Sequence, residues 1–309
     1  MPCGCATPHP AQWGAVMELV RLPAVLTVPG DTLIGAAMSG CCALRLRRSA
    51  TLASSSALLY LAGMVLNDYA DRDVDAAERP SRPIPSGRVE PRFALRLAQV
   101  LTVAGILLAA ADGALRIAVA LAGAVWAYDL FAKDSPAGPL VMAAARALDV
   151  LLGAEPGSPR EAVPAAALVG AHTAVITGVS RYETAGSTSA VPRAALAGTG
   201  AVTAAAFALA ISTARRVPGA GAPKPASARD LAAALLLLGG YAGPLLRSQR
   251  AAASDPCPAN LQRAVGAGVL GVIPLEASVL AAGGHTSAAC SLAAVWQLAR
   301  RLARGRAVT

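Results

Sequence analysis

The sequence predicts an all-α, polytopic membrane protein. Of its 309 residues, 55% are hydrophobic and only 15% are charged, and the mean hydropathy is +0.52. A soluble globular domain carries about 25% charged residues. The apolar residues lie in blocks of roughly 18 to 22, the length that the hydrocarbon core requires of a helix. The sequence does not show the ~10-residue alternation of a membrane β-barrel.

Nine or ten of these blocks are long enough to cross a bilayer. The last two are separated only by "GGHT", and Pro274 interrupts the ninth, so this pair can also form one broken span and a surface helix. The predicted spans are residues 20–44, 49–70, 92–111, 114–132, 137–154, 161–181, 191–214, 228–248, 261–281 and 285–303.

We expect one integral domain over residues 1–309. Residues 1–19 read as an N-terminal tail, and they lack the basic start and apolar core of a secretory signal. Residues 215–230, "RRVPGAGAPKPASARD", are rich in Pro, Gly and Ala and predict a flexible extramembrane loop. The six cysteines follow no metal-binding spacing, so we expect free, small hydrophobic side chains.

The net charge of +9 comes from basic residues that flank the spans. They do not form one continuous stripe, which argues against a nucleic-acid partner. With ten spans, more basic residues lie on the side of the loop after span two, and the positive-inside rule puts that loop in the cytoplasm. With nine spans the two sides are nearly even. We expect the protein to lie in the plasma membrane of a bacterium.

The second span ends in a regular series of polar side chains. Asn67, Asp71 and Asp75 are spaced i, i+4 and i+8. On a helix each such step advances about 40° around the axis and about 6 Å along it, so the three side chains share one stripe. Carboxylate and amide oxygens in such a stripe suit Mg²⁺, which also takes water and substrate phosphate oxygens as ligands.

A basic, proline-rich segment follows this stripe. The prolines of "RPIPSGR", residues 82–88, forbid a continuing helix, so the segment folds back and brings Arg79, Arg82 and Arg88 near the acids. Carboxylates that hold a metal and guanidinium groups that bind phosphate oxygens together suit a diphosphate. The alternative is a solvated loop whose mixed charges only mark the membrane boundary.

These residues resemble a known motif. "NDYADRDVD" followed by "RPSRPIPSG" resembles the first aspartate-rich motif of the UbiA superfamily of intramembrane prenyltransferases, N-x-x-x-D-x-x-x-D followed by an "RPLPSG"-type segment. Asn67, Asp71 and Asp75 match the pattern residue by residue. "YDLFAKD", from Tyr128 to Asp134, follows span four, as an aromatic-plus-lysine loop does in that family.

The resemblance implies helices around a central cavity and a Mg²⁺-bound isoprenyl diphosphate. The isoprenyl group passes to an acceptor, and diphosphate is released. Under this interpretation Lys133 contacts diphosphate. The alternative is a purely structural role, in which its side chain reaches from the apolar layer to the interface. Tyr128 is one of the few rings able to stabilise an allylic cation. The residues expected to neutralise the departing diphosphate are Arg72, Arg79, Arg82, Lys133 and Arg181.

The sequence departs from the family pattern after span six. The second aspartate-rich motif is replaced by "VSRYETAGST", whose only acid is Glu183, with Arg181 two residues before it. Glu183 then stands alone as the ligand offered by this loop to Mg²⁺. This departure resembles a divergent bacterial subgroup, the EboC-like members, as do "RALDVLLGA" and "GVLGVIPLEASVLA".

Ionisable residues also lie inside predicted spans, where a charge is a functional candidate. Asp31 follows Pro29, a predicted kink in span one, and Arg146 and Asp149 share a face of span five. We expect Asp31, Arg146 and Asp149 to bind the acceptor or take its proton, and the alternative is a satisfied ion pair within the bundle. Glu276 in span nine and His172 in span six are equally open to functional and structural interpretations.

The reaction predicted from these residues is prenyl transfer to an unknown acceptor, with membrane lipid around the bundle. Two alternatives remain open. The same allylic cation can be captured within its own chain, which makes the protein a terpene cyclase. The charged loop can also bind lipid headgroups or solutes in a carrier that catalyses nothing.

Overall fold

The computed structural model of this chain describes residues 10–19, 25, 27–39, 46–155, 157–215 and 226–303. Every regular element in these ranges is helical, which confirms the predicted fold class. The helices are α1 Pro10–Leu19, α2 Pro29–Met38, α3 Leu46–Ala70, α4 Arg72–Glu78, α5 Pro91–Ala111, α6 Leu115–Ala127, α7 Gly138–Ala154, α8 Pro159–Ser180, α9 Ala190–Ala214, α10 Ala228–Ser254, α11 Pro258–Ala282 and α12 Thr286–Ala303.

Seven helical segments in the described part of the chain are long and apolar enough to cross a membrane. They match predicted spans two, three, four and six to nine: Arg47–Ala70, Pro91–Ala111, Leu115–Ala132, Pro159–Ser180, Ala190–Ala214, Ala228–Ser254 and Pro258–Ala282.

The predicted count of nine to ten spans is therefore not confirmed. Within predicted span one, α2 has ten residues, and part of that span lies outside the described residues. In span five, α7 has 17 residues, which is about the minimum length for a crossing. In span ten, α12 carries Arg300 and Arg301 in its last turn and is not apolar enough.

Helix α11 lies at the centre of the bundle. Almost all of its side chains from Gly271 to Ala282 are buried, and it contacts α2, α8, α9, α10 and α12. The predicted interruption at Pro274 does not occur, because the helix continues through this residue to Ala282. Packing on every side of α11 favours the helix and offsets the backbone hydrogen bond that a proline removes.

The predicted N-terminal tail is shorter than expected, since its second half forms α1. Ala15 and Leu19 of this helix are buried in a cluster that includes Leu66 of α3 and Ile84 of the proline-rich segment. The Arg88 guanidinium also donates to Glu18, at 2.7 Å from Nη1 to Oε2. Tertiary contacts therefore stabilise a helix that its own ten residues could not form alone.

The predicted loop over residues 215–230 ends earlier than expected. Residues 216–225 lie outside the described residues, and α10 begins at Ala228. The Ser227 hydroxyl accepts from the Asp230 backbone N–H, and the Asp230 carboxylate accepts from the Ser227 N–H. This reciprocal cap is a recognised helix start, written "SARD" in the sequence.

Glycines let α2 and α7 touch backbone to backbone. A Cβ atom on Gly35 would lie 1.9 Å from the Val150 carbonyl oxygen, and one on Gly153 would lie 2.0 Å from that of Thr32. Such close contact is typical of helices that pack in membranes through small residues. It holds Asp31 of α2 and Asp149 of α7 in the same small volume of the bundle.

Candidate active site

The predicted polar stripe lies on a nearly continuous helix. Helix α3 ends at Ala70 and α4 begins at Arg72, but the backbone bonds run on from Asp71 N–H to Asn67 O at 2.9 Å and from Asp75 N–H to Asp71 O at 2.8 Å. Asn67, Asp71 and Asp75 therefore share one face, as their spacing predicts. Asp75 is buried, and this face points into the protein.

The proline-rich segment folds back over this stripe, as predicted. Gly87 adopts a φ of +75°, a value that a residue with a side chain rarely adopts. The Val89 N–H bonds to the Pro83 carbonyl at 2.9 Å. The turn places Arg82 Nη1 2.6 Å from Asp75 Oδ2 and 3.4 Å from Asp68 Oδ1. Asp68, which the spacing puts beside the stripe, is thereby part of the site.

A short π-helical turn aims Lys133 at the stripe. Residues Tyr128–Ala132 form this turn after α6, and the Lys133 N–H bonds to the carbonyl five residues earlier, that of Tyr128, at 2.9 Å. Such turns add one residue to a helix and are frequent at functional sites. The Lys133 ammonium forms an ion pair and a hydrogen bond with Asp71.

Asp129 is a site residue that the sequence analysis missed. It is buried in the same π-helical turn, and its Oδ1 accepts from the Asn67 amide Nδ2 at 3.5 Å. The available signal was an acid four residues before Lys133 and next to Tyr128, inside an otherwise apolar span. Asp129 adds a further carboxylate beside the predicted stripe.

The remaining basic residues of this segment differ in where they point. Arg79 Nη1 lies 4.0 Å from Asp75 Oδ1 and faces the stripe. Arg72 points away from the stripe, because it donates to the Tyr69 carbonyl at 2.9 Å, covers the Tyr69 ring at 4.8 Å and pairs with the exposed Asp73. The structure therefore does not bring Arg72 to the place where the sequence analysis put it.

Glu183 lies on the loop between α8 and α9. Burial raises the pKa of its carboxyl to about 7, and the nearby positive charge of Arg79 opposes that rise. The interaction with Arg79 places Glu183 on the same side of the bundle as the stripe. Arg181, on the same loop, lies within electrostatic range of Tyr128.

The predicted Mg²⁺ ligands are not gathered into one closed cluster. Among the described residues, no three acidic, His or Cys side chains converge closely enough to hold a metal ion. Asn67, Asp71 and Asp75 share a face, but Asp71 and Asp75 turn toward Lys133 and Arg82. Glu183 approaches from another loop. We name the group of Asn67, Asp68, Asp71, Asp75, Arg82, Asp129 and Lys133 the acid–base site.

A second charged group, which we name the deep cluster, consists of Asp31, Arg146, Asp149 and Glu276. Arg146 Nη1 lies 2.8 Å from Asp31 Oδ2, and Arg146 Nη2 lies 3.6 Å from Glu276 Oε1. The Ser56 hydroxyl donates to Asp149 Oδ2 at 2.7 Å. The structure therefore brings Asp31, Arg146, Asp149 and Glu276 together, whereas the sequence predicted only that Arg146 and Asp149 share a face.

The two charged groups lie at different depths of the bundle. Ser56 and Asn67 are on the same helix, α3, and the rise per residue puts about 16 Å between them along its axis. Ser56 marks the deep cluster and Asn67 the inner edge of the acid–base site.

His172 is a core imidazole. Its Nε2 lies 3.1 Å from the Gly268 carbonyl, which can only accept, so Nε2 carries the hydrogen. Its Nδ1 then accepts from the Tyr241 hydroxyl at 3.1 Å. Both ring nitrogens are satisfied across α8, α10 and α11, which favours the structural interpretation of this residue.

The fold and the site together define an integral membrane protein with a charged site at one end of its helices. The family model described as "UbiA prenyltransferase family" matches residues 31–210, more than half of the chain. The chain therefore belongs to the UbiA prenyltransferase family, which confirms the resemblance found in the sequence. The EboC-like subgroup stays a prediction.

Relatives and solved structures agree with this assignment. The chain is 37% identical over 94 residues to digeranylgeranylglyceryl phosphate synthase of Methanothrix thermoacetophila. This match covers 30% of this chain and 35% of the relative. A similar match, at 40% identity, covers 37% of this chain and 37% of the synthase of Ignicoccus hospitalis. The chain thus spans little more than a third of the length of these curated relatives.

Two solved structures share the fold. A digeranylgeranylglyceryl phosphate synthase structure has a TM-score of 0.60 at 16% identity and covers 88% of this chain and 99% of that one. A UbiA homolog from Archaeoglobus fulgidus, bound to DMAPP and Mg²⁺, has a TM-score of 0.52 at 14% identity. The match covers 85% of this chain and 98% of that one. At these identities the likeness establishes the fold alone.

Proposed function

We propose that this protein transfers an isoprenyl group from a polyprenyl diphosphate to a small or lipidic acceptor, in a Mg²⁺-dependent reaction that releases diphosphate. The observation that carries the proposal is the acid–base site. In it, oxygen-bearing side chains of one helical face meet basic side chains from two other segments, at the end of a membrane bundle.

The donor set of the acid–base site fits Mg²⁺. Asn67, Asp71 and Asp75 offer one amide and two carboxylate oxygens, the ligand types that this ion prefers. Asp71 and Asp75 already attract positive charge, because Lys133 and Arg82 bind them. Mg²⁺, when bound, supplies Lewis-acid stabilisation of phosphate oxygens. The Archaeoglobus fulgidus homolog with DMAPP and Mg²⁺ supports this choice of ion and donor.

Glu183 is the proposed ligand from the opposite loop. It is half buried and lies near Arg79, on the side of the bundle where the stripe ends. Because it is the only acid of its loop, we assign it a supporting role in holding the metal. Asp129 positions the amide of Asn67: it accepts from Nδ2, which leaves the Asn67 oxygen free to face the ion.

Basic side chains stabilise the departing diphosphate in this proposal. Lys133 and Arg82 lie against the stripe, and Arg79 lies 4.0 Å from it. Guanidinium groups bind phosphate oxygens in pairs, and positive charge fixed in a dry site lowers the barrier for a leaving group that gains negative charge. Arg181 and Tyr128 lie beside the acid–base site. Arg72 points away from the stripe, so we assign it no direct contact with the diphosphate.

The deep cluster is the proposed acceptor site. Asp31, Arg146 and Asp149 lie about 16 Å along α3 from the inner edge of the acid–base site. An acceptor anchored there must span about this distance to present its reactive atom to the isoprenyl carbon next to the diphosphate. The relatives named above are synthases of digeranylgeranylglyceryl phosphate.

We place the acid–base site on the cytoplasmic face of a bacterial plasma membrane. The arginines around the loop after α3 support this orientation, since basic residues favour the cytoplasmic side.

Product analysis tests the proposed reaction. Membranes that contain the full chain are incubated with Mg²⁺ and radiolabelled farnesyl or geranylgeranyl diphosphate, with and without a lipid extract as the source of acceptor. We expect diphosphate release and a prenylated product, identified by mass spectrometry, that appears only with the extract. A cyclic hydrocarbon formed without extract would indicate a terpene cyclase, and no release with any donor would indicate a carrier.

Matched variants test the site. Asp71→Asn keeps the shape of the side chain and removes its charge, and we expect diphosphate release to fall by about 10²–10³-fold, the loss typical of one preorganised electrostatic contact. Asp73→Asn is the control, because Asp73 lies off the stripe with its side chain 85% exposed. Equal activity of these two variants would contradict the assignment.

A further inference from the structure

The last helix, α12, ends in positive charge that its own segment does not balance. Residues 286–309 contain no acid and no lysine, and their four arginines are Arg300, Arg301, Arg304 and Arg306. The first two lie in the last turn of α12. Any counter-charge for this turn must therefore come from another helix or from outside the protein.

Two contacts show that α12 runs beside α10 and in the same direction. The Thr286 hydroxyl donates to the Asp230 carboxylate, close to the start of both helices. Ten residues further along each helix, the Trp296 ring lies against Gly240, where an added Cβ would be 3.1 Å from ring atom Cη2. Both helices advance equally between the two contacts, so their C-terminal parts also lie side by side.

Arg247 of α10 lies on the side that faces α12. It follows Gly240 by seven residues, about two helical turns, so both residues share the face that the Trp296 ring touches. The Arg247 Nε donates back to the Gly243 carbonyl at 3.1 Å. Its guanidinium therefore lies about 20 Å along the helix axis from Asp230.

Arg300 brings a second guanidinium to the same level. It lies about 21 Å along α12 from Thr286. Its guanidinium carbon is 5.0 Å from the centre of the Trp296 ring, and stacking on a ring leaves the N–H groups in the guanidinium plane free to bind an anion. We name Arg247, Trp296, Arg300 and Arg301 the basic seam.

No acid among the described residues forms an ion pair with the basic seam. The acid closest in sequence to Arg247 is Asp255, and its carboxylate accepts from the Asn260 amide at 3.1 Å instead. Helix α12 packs along α10 and α11, which are long and apolar enough to cross a membrane. An arginine at membrane depth without a counter-charge is costly, so these guanidinium groups favour an anion from outside the protein.

The outer face of α12 is apolar beside these charges. Leu298 is 49% exposed and Leu302 is 45% exposed, and the exposed Arg301 lies between them on the same helical face. In a membrane such leucines contact acyl chains, and an arginine among them extends its guanidinium toward the lipid headgroups. The surroundings of the basic seam therefore suit a molecule with acyl chains and a charged head.

The basic seam lies toward the side of the bundle that carries the acid–base site. The linker after α10 contacts the loop of Glu183, because the Ser187 N–H bonds to the Pro256 carbonyl at 3.2 Å. The Gln262 amide also donates to the Glu183 carbonyl at 3.3 Å. Helix α12 runs in the direction of α10, so its arginines approach the same side.

We propose that the basic seam binds the phosphate headgroup of an anionic phospholipid, on the membrane face that carries the acid–base site. This inference goes beyond the proposed prenyl transfer and does not depend on it. Guanidinium groups from two helices match phosphate oxygens in charge and in hydrogen-bonding shape. The exposed leucines of α12 favour a phospholipid over a free phosphate, because only the phospholipid has acyl chains to cover them. The bound lipid joins α12 to α10.

Lipid binding to matched variants tests the inference. The purified full chain in detergent is titrated with phosphatidylglycerol or with phosphatidylcholine of the same acyl chains, and bound lipid is counted by native mass spectrometry. The test variant combines Arg247→Gln, Arg300→Gln and Arg301→Gln. The control variant loses the same charge from three exposed arginines at the opposite helix ends, through Arg116→Gln, Arg160→Gln and Arg229→Gln.

We expect the wild type and the control variant to bind phosphatidylglycerol about tenfold more tightly than phosphatidylcholine. The test variant should lose this preference, because each basic residue near an anionic headgroup contributes roughly fivefold in affinity. Thermal melting confirms that each variant is folded. If the triple variant does not fold, Arg301→Gln alone, at an exposed position, should lower the preference about fivefold, and an unchanged preference would overturn the inference.

Equal binding of the two lipids by the wild type, or an equal loss of preference in the test and control variants, would also overturn the inference. Two competitors identify other occupants. Displacement of phosphatidylglycerol by an equal concentration of inorganic phosphate would show a site for any phosphate. Displacement by farnesyl thiodiphosphate would show that the arginines belong to the donor site. Either result would overturn the assignment to phospholipid.

Diphosphate release from farnesyl diphosphate, measured in the same preparations, separates this inference from the proposed function. If the wild type releases diphosphate and shows no preference for the anionic lipid, the inference fails and the proposed function stands. If the preference is found and depends on the basic seam, but no donor is turned over, the proposed function fails and the lipid site stands.

Discussion

The acid–base site and the deep cluster both combine carboxylates with basic side chains, but they balance charge differently. In the acid–base site, Asp71 and Asp75 each meet a cation from another segment, Lys133 or Arg82. In the deep cluster, three acids share Arg146, and Asp31 lies within hydrogen-bonding range of the other two acids. The first region lies at the end of the helices, and the second lies inside the bundle.

The difference shows what each region can bind. The paired acids and bases of the acid–base site can separate when a metal ion and a diphosphate bind. The acids then face the metal ion, and the bases face the diphosphate. A buried acid surplus has no such counter-charge to receive. Its acids can avoid the cost of unpaired buried charge only by holding protons between them.

The largest effect we expect is on stability, from Arg146→Gln. Removing the one cation leaves three buried acids, and breaking a buried ion pair in this way costs about 3–5 kcal/mol. Arg82→Gln should cost less, because Asp75 keeps a second cation, Arg79, whose Nη1 lies 4.0 Å from Asp75 Oδ1. Thermal unfolding in detergent compares the two variants. Adding Asp31→Asn to Arg146→Gln should restore part of the loss, and a failure to restore any of it would count against the charge balance described here.

The next effect separates the two sites kinetically. Asp75→Asn should lower turnover by about 10²–10³-fold and weaken Mg²⁺-dependent binding of the donor, because Asp75 contacts the proposed metal and diphosphate. Asp149→Asn should raise the acceptor KM and leave the donor KM unaltered. Steady-state kinetics with each substrate varied in turn measures both. If the two variants shift the same KM, the division into donor and acceptor sites is wrong.

A smaller effect is expected from the glycines that bring Asp31 and Asp149 together. Gly153→Ala adds a Cβ that would lie 2.0 Å from the Thr32 carbonyl oxygen, so α2 must shift, at about 1–3 kcal/mol. Gly123→Ala is the matched control, because a Cβ there meets nothing within 4 Å and alanine favours a helix. Thermal melts should drop for Gly153→Ala and stay level or rise for Gly123→Ala.

The smallest expected effect concerns pH. The pKa of Glu183 rises from its ordinary 4.5 to about 7, chiefly because the carboxyl is partly buried. The folded state then binds more protons than the unfolded state between these values, so this group's contribution to stability is lost as the pH rises from about 4.5 to about 7. Glu183→Gln should flatten that part of the melting profile, measured with EDTA present. An identical profile in both proteins would contradict the burial of this carboxyl.

The sequence predicts the parts of the site that depend on local spacing. The i, i+4, i+8 series of Asn67, Asp71 and Asp75 survives because the backbone bonds continue across the junction of α3 and α4. The proline-rich segment folds back because its prolines cannot continue the helix. These features need no knowledge of the distant chain.

The parts that spacing cannot predict depend on contacts between distant segments. Asp129 joins the site because a π-helical turn, invisible in the residue pattern, rotates the end of α6. Helix α1 forms because Leu66 and Ile84 cover it, and α11 passes through Pro274 because it is surrounded. Glu276 was singled out as ionisable, but only the packing of α11 on α2 places it beside Arg146.

The most direct test of the central claim is equilibrium binding of farnesyl thiodiphosphate to the wild type, Asp71→Asn and Asp73→Asn, with and without Mg²⁺. The account predicts Mg²⁺-dependent binding by the wild type and by Asp73→Asn, and little or none by Asp71→Asn. Binding of equal strength in all three proteins, or binding that ignores Mg²⁺, would contradict the claim that the stripe of Asn67, Asp71 and Asp75 holds the donor through a metal ion.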